Sequence, residues 1–181
     1  QYANDREDFR ARVMAYKNNR RVAVGPNVTL YFEDALTMQY QIQEMLRLER
    51  ICEADKIQQE LDAYNPLIPD GSNLKATMMI EFPDVEERRT ALQRLIGIET
   101  ALWLPVGDLS RVTPIANEDL VRETADKTSS VHFVRFELTG QMIGALGSEE
   151  TLIIGIDHPA YGYDVQVSSS TRTALVRDLQ S

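Results

Sequence analysis

The stretch Leu36–Glu53, LTMQYQIQEMLRLERICE, contains no Gly or Pro and is rich in residues that favour helices. We therefore predict a long central helix over about residues 35–53, with Asp34 as its N-cap. At about 100° per residue, one broad arc of this helix collects apolar side chains, which we expect to face the core. The apolar members of the arc are Met38, Ile42, Met45, Leu46, Leu48 and Cys52.

Three polar side chains, those of Gln41, Glu49 and Glu53, fall on the same arc. A buried carboxylate without a partner is costly, so each acid needs an ion pair, a hydrogen bond, a proton or a bound ligand. Glu49 and Glu53 are four residues apart, so their carboxylates can approach each other and attract a cation. Two interpretations stay open: a ligand or metal site, or a structural role in which Glu53 turns to solvent and Glu49 pairs with an arginine. The candidate arginines are Arg47, Arg50 and Arg135.

Length and charge restrict the class of protein. A chain of 181 residues predicts a single domain over residues 1–181. The net charge of −9 argues against binding to nucleic acid or to an anionic membrane surface. No apolar run approaches the roughly 20 residues of a membrane span, and the opening QYANDREDF does not resemble a signal peptide. We expect a cytoplasmic protein, and because the chain opens without Met, residues that precede Gln1 stay possible.

Strand-like alternation comes in adjacent pairs and does not alternate strictly with helices. The paired segments are residues 22–24 and 28–32, 101–106 and 109–115, and 152–158 and 163–167. This order predicts an α+β fold with a mainly antiparallel sheet of about six to eight strands and helices packed on one face.

The segment SVHFVRFEL, residues 130–138, has the clearest strand pattern. His132 falls on its more apolar face, where it is either a hydrogen-bonded core residue or a ligand or general base beside Glu49 or Glu53. Arg135 falls on the other face, where it either pairs with a carboxylate across the sheet, such as that of Glu81, or binds a phosphate or carboxylate.

Familiar catalytic motifs are absent from the sequence. It contains no P-loop, no dinucleotide-binding glycine pattern, no nucleophile elbow and no HExxH, and its one cysteine, Cys52, excludes an internal disulfide. The residues left as ligand candidates are Gln41, Glu49, His132 and Arg135. The residues left as metal candidates are Glu49, Glu53 and His132. No cofactor is evident, and a divalent metal stays open.

Three runs carry a resemblance to a known family: FEDALTMQYQIQEMLRLERI, YNPLIPDGSNLKATMMIEF and SSVHFVRFEL. In this order they resemble a bacterial family described only as a domain of unknown function, over nearly the whole chain. Its members are often encoded near rubrerythrin-like and heterodisulfide-reductase-like iron–sulfur proteins. The resemblance therefore implies a protein partner among redox or iron–sulfur proteins, and it transfers no catalytic residue.

Two functions follow as alternatives. The first is an accessory or binding protein that acts beside redox or peroxide-handling enzymes. The second is a small-ligand-binding or divalent-metal enzyme that uses a Glu/His cluster on the central helix and the sheet. The oligomeric state stays open, with a homodimer as one possibility, because sequence does not reveal exposed apolar patches.

Overall fold

The computed structural model describes residues 2–106, 109–148 and 151–180, which contain six helices and nine strands. The helices are α1 (Tyr2–Lys17), α2 (Ala35–Leu48), α3 (Ala54–Tyr64), α4 (Val85–Arg94), α5 (Gly140–Ser148) and α6 (Ser169–Asp178). The strands are β1 (Arg21–Ala23), β2 (Val28–Phe32), β3 (Asn73–Ile80), β4 (Leu102–Val106), β5 (Leu109–Val112), β6 (Ile115–Ala116), β7 (Val131–Glu137), β8 (Ile153–His158) and β9 (Tyr161–Gln166). Short 3-10 turns cover Asn18–Arg20, Asn65–Leu67 and Ile98–Thr100. Gln1 and Ser181, the ends of the predicted domain, lie outside the described residues.

Five strands form the first sheet, in the order β1-β2-β3-β7-β6, with every neighbouring pair antiparallel. Because side chains alternate along a strand, the sheet has two distinct faces. The inner face carries the fully buried side chains of Leu30, Phe32, Met78, His132 and Phe136. The outer face carries Tyr31, Thr77, Met79, Val131 and Phe133, of which only Thr77 is fully buried.

Four strands form the second sheet, in the antiparallel order β5-β4-β8-β9. Trp103 on β4 lies opposite Gly155 on β8, and its ring covers the glycine so closely that a Cβ there would come within 2.2 Å of it. The guanidinium of Arg111 stacks on the same indole at 3.8 Å and pairs with Asp157 at 2.7 Å. Gly155 therefore has to be glycine for Trp103 to lie flat on the sheet.

Both sheets contribute to one hydrophobic core. The inner face of the first sheet joins Leu102, Leu104, Ile154 and Ile156 of the second sheet, together with Leu175 of α6. The predicted α+β class with antiparallel pairing is confirmed, but two sheets replace the expected single one. The expectation of helices on one face is corrected too, because α6 packs in the core whereas α2 borders the outer face of the first sheet.

The predicted central helix begins where expected and ends earlier. The Asp34 carboxylate accepts the Thr37 N–H at 2.9 Å, which confirms the N-cap. At the other end, Arg50 adopts a left-handed conformation with φ of 55°. The Ile51 N–H then reaches back to the Leu46 carbonyl at 2.9 Å, a Schellman ending of the helix. The helix stops at Leu48 because Arg50 adopts the left-handed conformation that glycine usually supplies at a helix end.

Helix α2 is not at the centre of the main core. Its buried residues include Met38, Tyr40 and Ile42, and these do not belong to the core that the two sheets share. Tyr40 packs against Phe9 of α1 at a ring distance of 6.1 Å. The two helices thus form a smaller packing unit at the side of the first sheet.

Candidate functional site

Glu33 follows β2 directly and is 5% exposed, which makes it one of the few buried acids in the described residues. Its backbone is held on both sides, because its N–H donates to the Lys75 carbonyl at 2.9 Å and its carbonyl accepts from the buried Arg20 at 3.2 Å. One side-chain oxygen, Oε1, accepts the Thr77 hydroxyl at 2.9 Å. The other, Oε2, is buried without a hydrogen-bond partner among the described residues. Burying a polar oxygen without a hydrogen-bond partner is unfavourable.

Glu33 lines a cavity of about 430 Å³ on the outer face of the first sheet, which we call the outer cleft. It is bounded by β2, β3 and β7 below, by α2 on one side, and by the end of α3 and the turn that follows it. The cleft is lined by Lys17, Tyr31, Glu33, Met38, Gln41, Tyr64, Leu67, Thr77, Met79, Val131 and Phe133. Most of this surface is aromatic or apolar, with a few polar groups, which is typical of a site for a small molecule.

A second cavity of about 520 Å³ continues along the same face and shares Tyr64, Leu67 and Phe133 with the outer cleft. Lys75 fixes the segment that covers this junction, since its ammonium donates to the carbonyls of Pro66 and Ile68 at 2.7 and 2.9 Å. The two cavities are therefore neighbours, and a lysine ties the segment between them to the sheet.

Arg135, a predicted ligand residue, lies in the second cavity with its charge already neutralised. It pairs with Glu118 at 2.7 Å and also with Glu137 on its own strand. These two carboxylates raise the pKa of Arg135 above its usual range, since they stabilise the charged form. Arg135 thus pairs with a carboxylate, but Glu118 lies in the loop after β6 and not on a neighbouring strand, and the suggested partner Glu81 is not among the residues that pair with Arg135 in the described structure.

His132 lies on the inner face of the sheet, away from the outer cleft, and is fully buried. Its Nδ1 is 2.9 Å from the Asn117 amide nitrogen, and its Nε2 is 2.9 Å from the Thr128 hydroxyl and 3.0 Å from the Ser129 carbonyl. Because an amide nitrogen donates and a carbonyl accepts, the ring is the neutral tautomer with its proton on Nε2.

Glu99 also lies beside His132. The Oε1 atom of Glu99 is 3.8 Å from Nδ1 of His132, and the Oε2 atom of Glu99 is buried without a partner among the described residues. Burial lowers the pKa of His132, and the nearby Glu99 carboxylate only partly opposes this. The core interpretation of His132 therefore fits the geometry, and the alternative in which it meets Glu49 or Glu53 does not.

Glu49 and Glu53 do not lie on a buried arc, which corrects the expectation for them. Both are exposed, as is Cys52. Glu49 is the C-cap of α2, and Glu53 is the N-cap residue of α3 and pairs with Lys56 at 3.2 Å. Because α2 ends at Leu48, residues 49–53 do not continue the helical spacing that would have placed these side chains on the buried arc. Within residues 2–106, 109–148 and 151–180, no group of three or more His, Cys, Asp or Glu side chains is arranged to hold a metal ion.

Sequence reasoning passed over two acids, Glu44 and Glu33, that the structure places in distinctive surroundings. Glu44 on α2 binds Arg6 of α1 at 2.7 Å and also accepts the Tyr2 hydroxyl at 2.8 Å, so it joins the two helices. The Arg6 guanidinium holds the pKa of this carboxyl far below its usual range. Glu33 was missed because one acid at the end of an alternating strand usually faces water. Gln41, by contrast, was predicted as a ligand residue and does line the outer cleft.

A more open cleft of about 620 Å³ lies between α4 and the β8–β9 hairpin. Tyr161 is one of its lining residues, and its hydroxyl accepts from the N–H groups of Asn27 and Val28 at 3.0 and 3.1 Å and donates to the Val24 carbonyl at 2.7 Å. This hydroxyl has all its partners within the protein. The outer cleft is smaller, but its lining residue Glu33 has a buried oxygen without a hydrogen-bond partner among the described residues. The outer cleft is therefore the better candidate site.

Comparison with known proteins agrees with the resemblance seen in the sequence. The family described as "Protein of unknown function (DUF3501)" matches residues 1–179. The chain belongs to the DUF3501 family. A crystal structure of a protein of unknown function from Burkholderia pseudomallei is 49% identical, covers 98% of this chain and 93% of its own, and superposes with a TM-score of 0.92. A comparison with curated proteins gave no match.

For this DUF3501 protein, the predicted resemblance to an uncharacterised family is thus confirmed, whereas the genomic neighbourhood stays a prediction. In the part of the chain that the structure describes, every helix is too short or too polar to cross a lipid bilayer.

Proposed function

We propose that this DUF3501 protein is a binding protein whose small organic ligand occupies the outer cleft. The observation that carries the proposal is the buried Glu33 side chain: one of its oxygens has no hydrogen-bond partner among the described residues, and the residue lines a cavity of about 430 Å³. Folding alone does not favour such a group, because burying it is unfavourable without a compensating partner. A ligand would supply that partner.

The held backbone of Glu33 supports the same proposal. Contacts to Arg20 and to the Lys75 carbonyl position the residue before any ligand arrives. Preorganised polar groups bind more tightly than mobile ones, since less ordering is required on binding. The cleft also has an apolar surface suited to the body of an organic molecule.

A divalent metal is less well supported. A metal at Glu33 would need further oxygen or nitrogen ligands, and no cluster of three acidic, His or Cys side chains exists within the described residues. Elemental analysis of protein purified without chelator tests this alternative directly, and near-stoichiometric metal that is lost in Glu33→Gln would favour it.

The proposed link to redox or iron–sulfur proteins in the cytoplasm rests on the family resemblance. An accessory role and a ligand site are compatible, since a bound small molecule can control whether a partner is recognised. Co-purification from the native host tests the partner, and recovery of no redox or iron–sulfur protein would count against it.

The experiment that tests the cleft compares three proteins in a thermal-shift screen with a library of bacterial small molecules. Val131→Trp fills the outer cleft, and Val85→Trp is its matched control, because Val85 is 60% exposed on α4 and outside the cleft. A ligand at about 100 times its Kd should raise the Tm of the wild type and of the control by roughly 5–10 °C. Val131→Trp should not respond. If no compound shifts the wild type, or hits shift all three proteins equally, the proposal is wrong.

A further inference from the structure

The outer cleft combines a buried acid with aromatic walls. Tyr31, Tyr64 and Phe133 line the cavity that contains Glu33. Aromatic faces carry partial negative charge, so they attract cations and do not attract anions. A carboxylate and three rings around one cavity therefore produce a site that is favourable for a positive charge.

The hydrogen bond within the site uses one oxygen of the acid. The Thr77 hydroxyl donates to Oε1 of Glu33 at 2.9 Å. The remaining oxygen, Oε2, then lacks a hydrogen-bond donor. A ligand with an N–H on a positively charged nitrogen satisfies both needs at once, because it supplies the donor and neutralises the charge.

We propose that the ligand of the outer cleft is an organic amine, bound as its primary or secondary ammonium, with the N–H on the carboxylate of Glu33 and an apolar body against the aromatic and methionine side chains. This inference rests on the proposed function and adds the chemical class of the ligand. Met38 and Met79 suit the apolar body, since thioether side chains adapt to irregular shapes. Gln41 offers an amide for a second polar group.

Lys17 is the one side chain of the cleft that opposes a cation. It lines the same cavity and forms no ion pair within 4.0 Å with Glu33 in the described structure. Its ammonium competes with the ligand for the carboxylate, so Lys17→Met should leave the binding of an amine unchanged or make it tighter. An anionic or zwitterionic ligand would show the opposite behaviour, because it would use Lys17 as a partner.

The test is isothermal titration calorimetry of the full chain with two probes of nearly equal shape. 2-Phenylethylammonium carries the charge, and 2-phenylethanol lacks it. On the wild-type protein the ammonium should bind at least about tenfold more tightly, the ratio expected from a charge-assisted hydrogen bond. Glu33→Gln should remove this preference, and Lys17→Met should keep or increase it. The wild-type comparison requires no variant to fold.

Each outcome bears on the proposal. Equal binding of the two probes, a preference that survives Glu33→Gln, or loss of ammonium binding in Lys17→Met would each overturn the amine assignment. Failure of both probes to bind would overturn it too. The thermal-shift screen distinguishes failure of the amine assignment from failure of the proposed function. If uncharged or anionic library compounds bind in the cleft, the amine assignment fails but the ligand-binding role remains. If no compound binds in the cleft, both the amine assignment and the ligand-binding role are wrong.

Discussion

A histidine is buried on the inner face of the first sheet and a glutamate is buried on its outer face. The two side chains differ in how many of their polar atoms have hydrogen-bond partners. His132 has partners on both ring nitrogens, and its neighbour Glu99 has that histidine within 3.8 Å. Glu33 has only the Thr77 hydroxyl for one of its two oxygens. The inner face is filled by core side chains, whereas the outer face borders a cavity.

The difference separates a structural polar group from a functional candidate. A buried group with all its hydrogen bonds holds the fold together, and its removal costs stability. A buried group that lacks a partner next to empty volume contributes little to the fold, so its presence points to a ligand. The four predictions below test this contrast.

The largest contrast is expected from two adjacent methionines on opposite faces of β3. Met78→Ala removes a fully buried side chain from the shared core and should lower the free energy of unfolding by about 3 kcal/mol. Met79→Ala removes a half-buried side chain that borders the outer cleft and should cost about 1 kcal/mol or less. Urea unfolding measures both, and equal losses would mean that the outer face is packed as tightly as the inner one.

His132→Phe should lower the free energy of unfolding at pH 7.5 by about 2 kcal/mol, because it leaves Asn117 and Thr128 without their partner. The pKa of His132 in the fold lies below its ordinary value of 6.5, so the unfolded chain binds a proton first as the pH falls. The wild type should therefore lose stability as the pH falls below about 6.5, and the variant should lose less.

Urea unfolding at several pH values between 5 and 8 tests this. The ordinary pKa values of Asp and Glu lie below that window, so the difference between the two proteins isolates the histidine. An identical pH slope in the wild type and in His132→Phe would show that the ring does not avoid its charged form in the fold.

Glu33→Gln should behave in the opposite way to His132→Phe. The amide can still accept the Thr77 hydroxyl, and the buried charge is gone, so the free energy of unfolding should stay constant or rise by up to about 1 kcal/mol. Thr77→Val is the matched control, since it keeps the charge and removes its hydrogen bond, and should cost about 1–2 kcal/mol. Chemical denaturation checks both variants. A clear loss of stability in Glu33→Gln would mean that the carboxylate has a structural partner.

The smallest effect is expected for Glu49→Leu, which should change the free energy of unfolding by less than about 0.5 kcal/mol. The residue is exposed at the end of α2, and surface substitutions of this kind are close to neutral. Ile42→Ala, on the buried arc of the same helix, serves as the positive control and should cost about 2 kcal/mol or more. If Glu49→Leu lowers the free energy of unfolding as much as this control does, the Glu49 carboxylate makes a stabilising interaction in the folded protein.

Local patterns predicted much of the backbone. The alternation around His132 and Phe136 placed them on one face of β7, and both are fully buried there. The N-cap Asp34 was also identified correctly, since capping depends on neighbouring residues alone. The end of α2 was wrong because Arg50 adopts a left-handed conformation that its residue type does not signal.

The candidate site could not be predicted in the same way. Periodicity tells which side chains share a face, but it does not tell which face a distant segment will cover. Tyr64 and Leu67 cover the strand face that carries Thr77, and this arrangement depends on contacts between segments far apart in the chain. For the same reason Gln41 could be suspected from its own helix, whereas the acid that lines the cleft with it, Glu33, could not.

The packing of Trp103 on Gly155 also decides which spectroscopic signal reports on which event. Trp103 is the single tryptophan of the chain, and it lies in the second sheet under Arg111. Its emission will follow the melting of that sheet. Occupation of the outer cleft takes place on the other sheet, beside tyrosine and phenylalanine rings, so the indole will not register it. Heat release or a shifted melting curve is therefore the appropriate readout for a bound molecule, and tryptophan emission is the appropriate readout for unfolding.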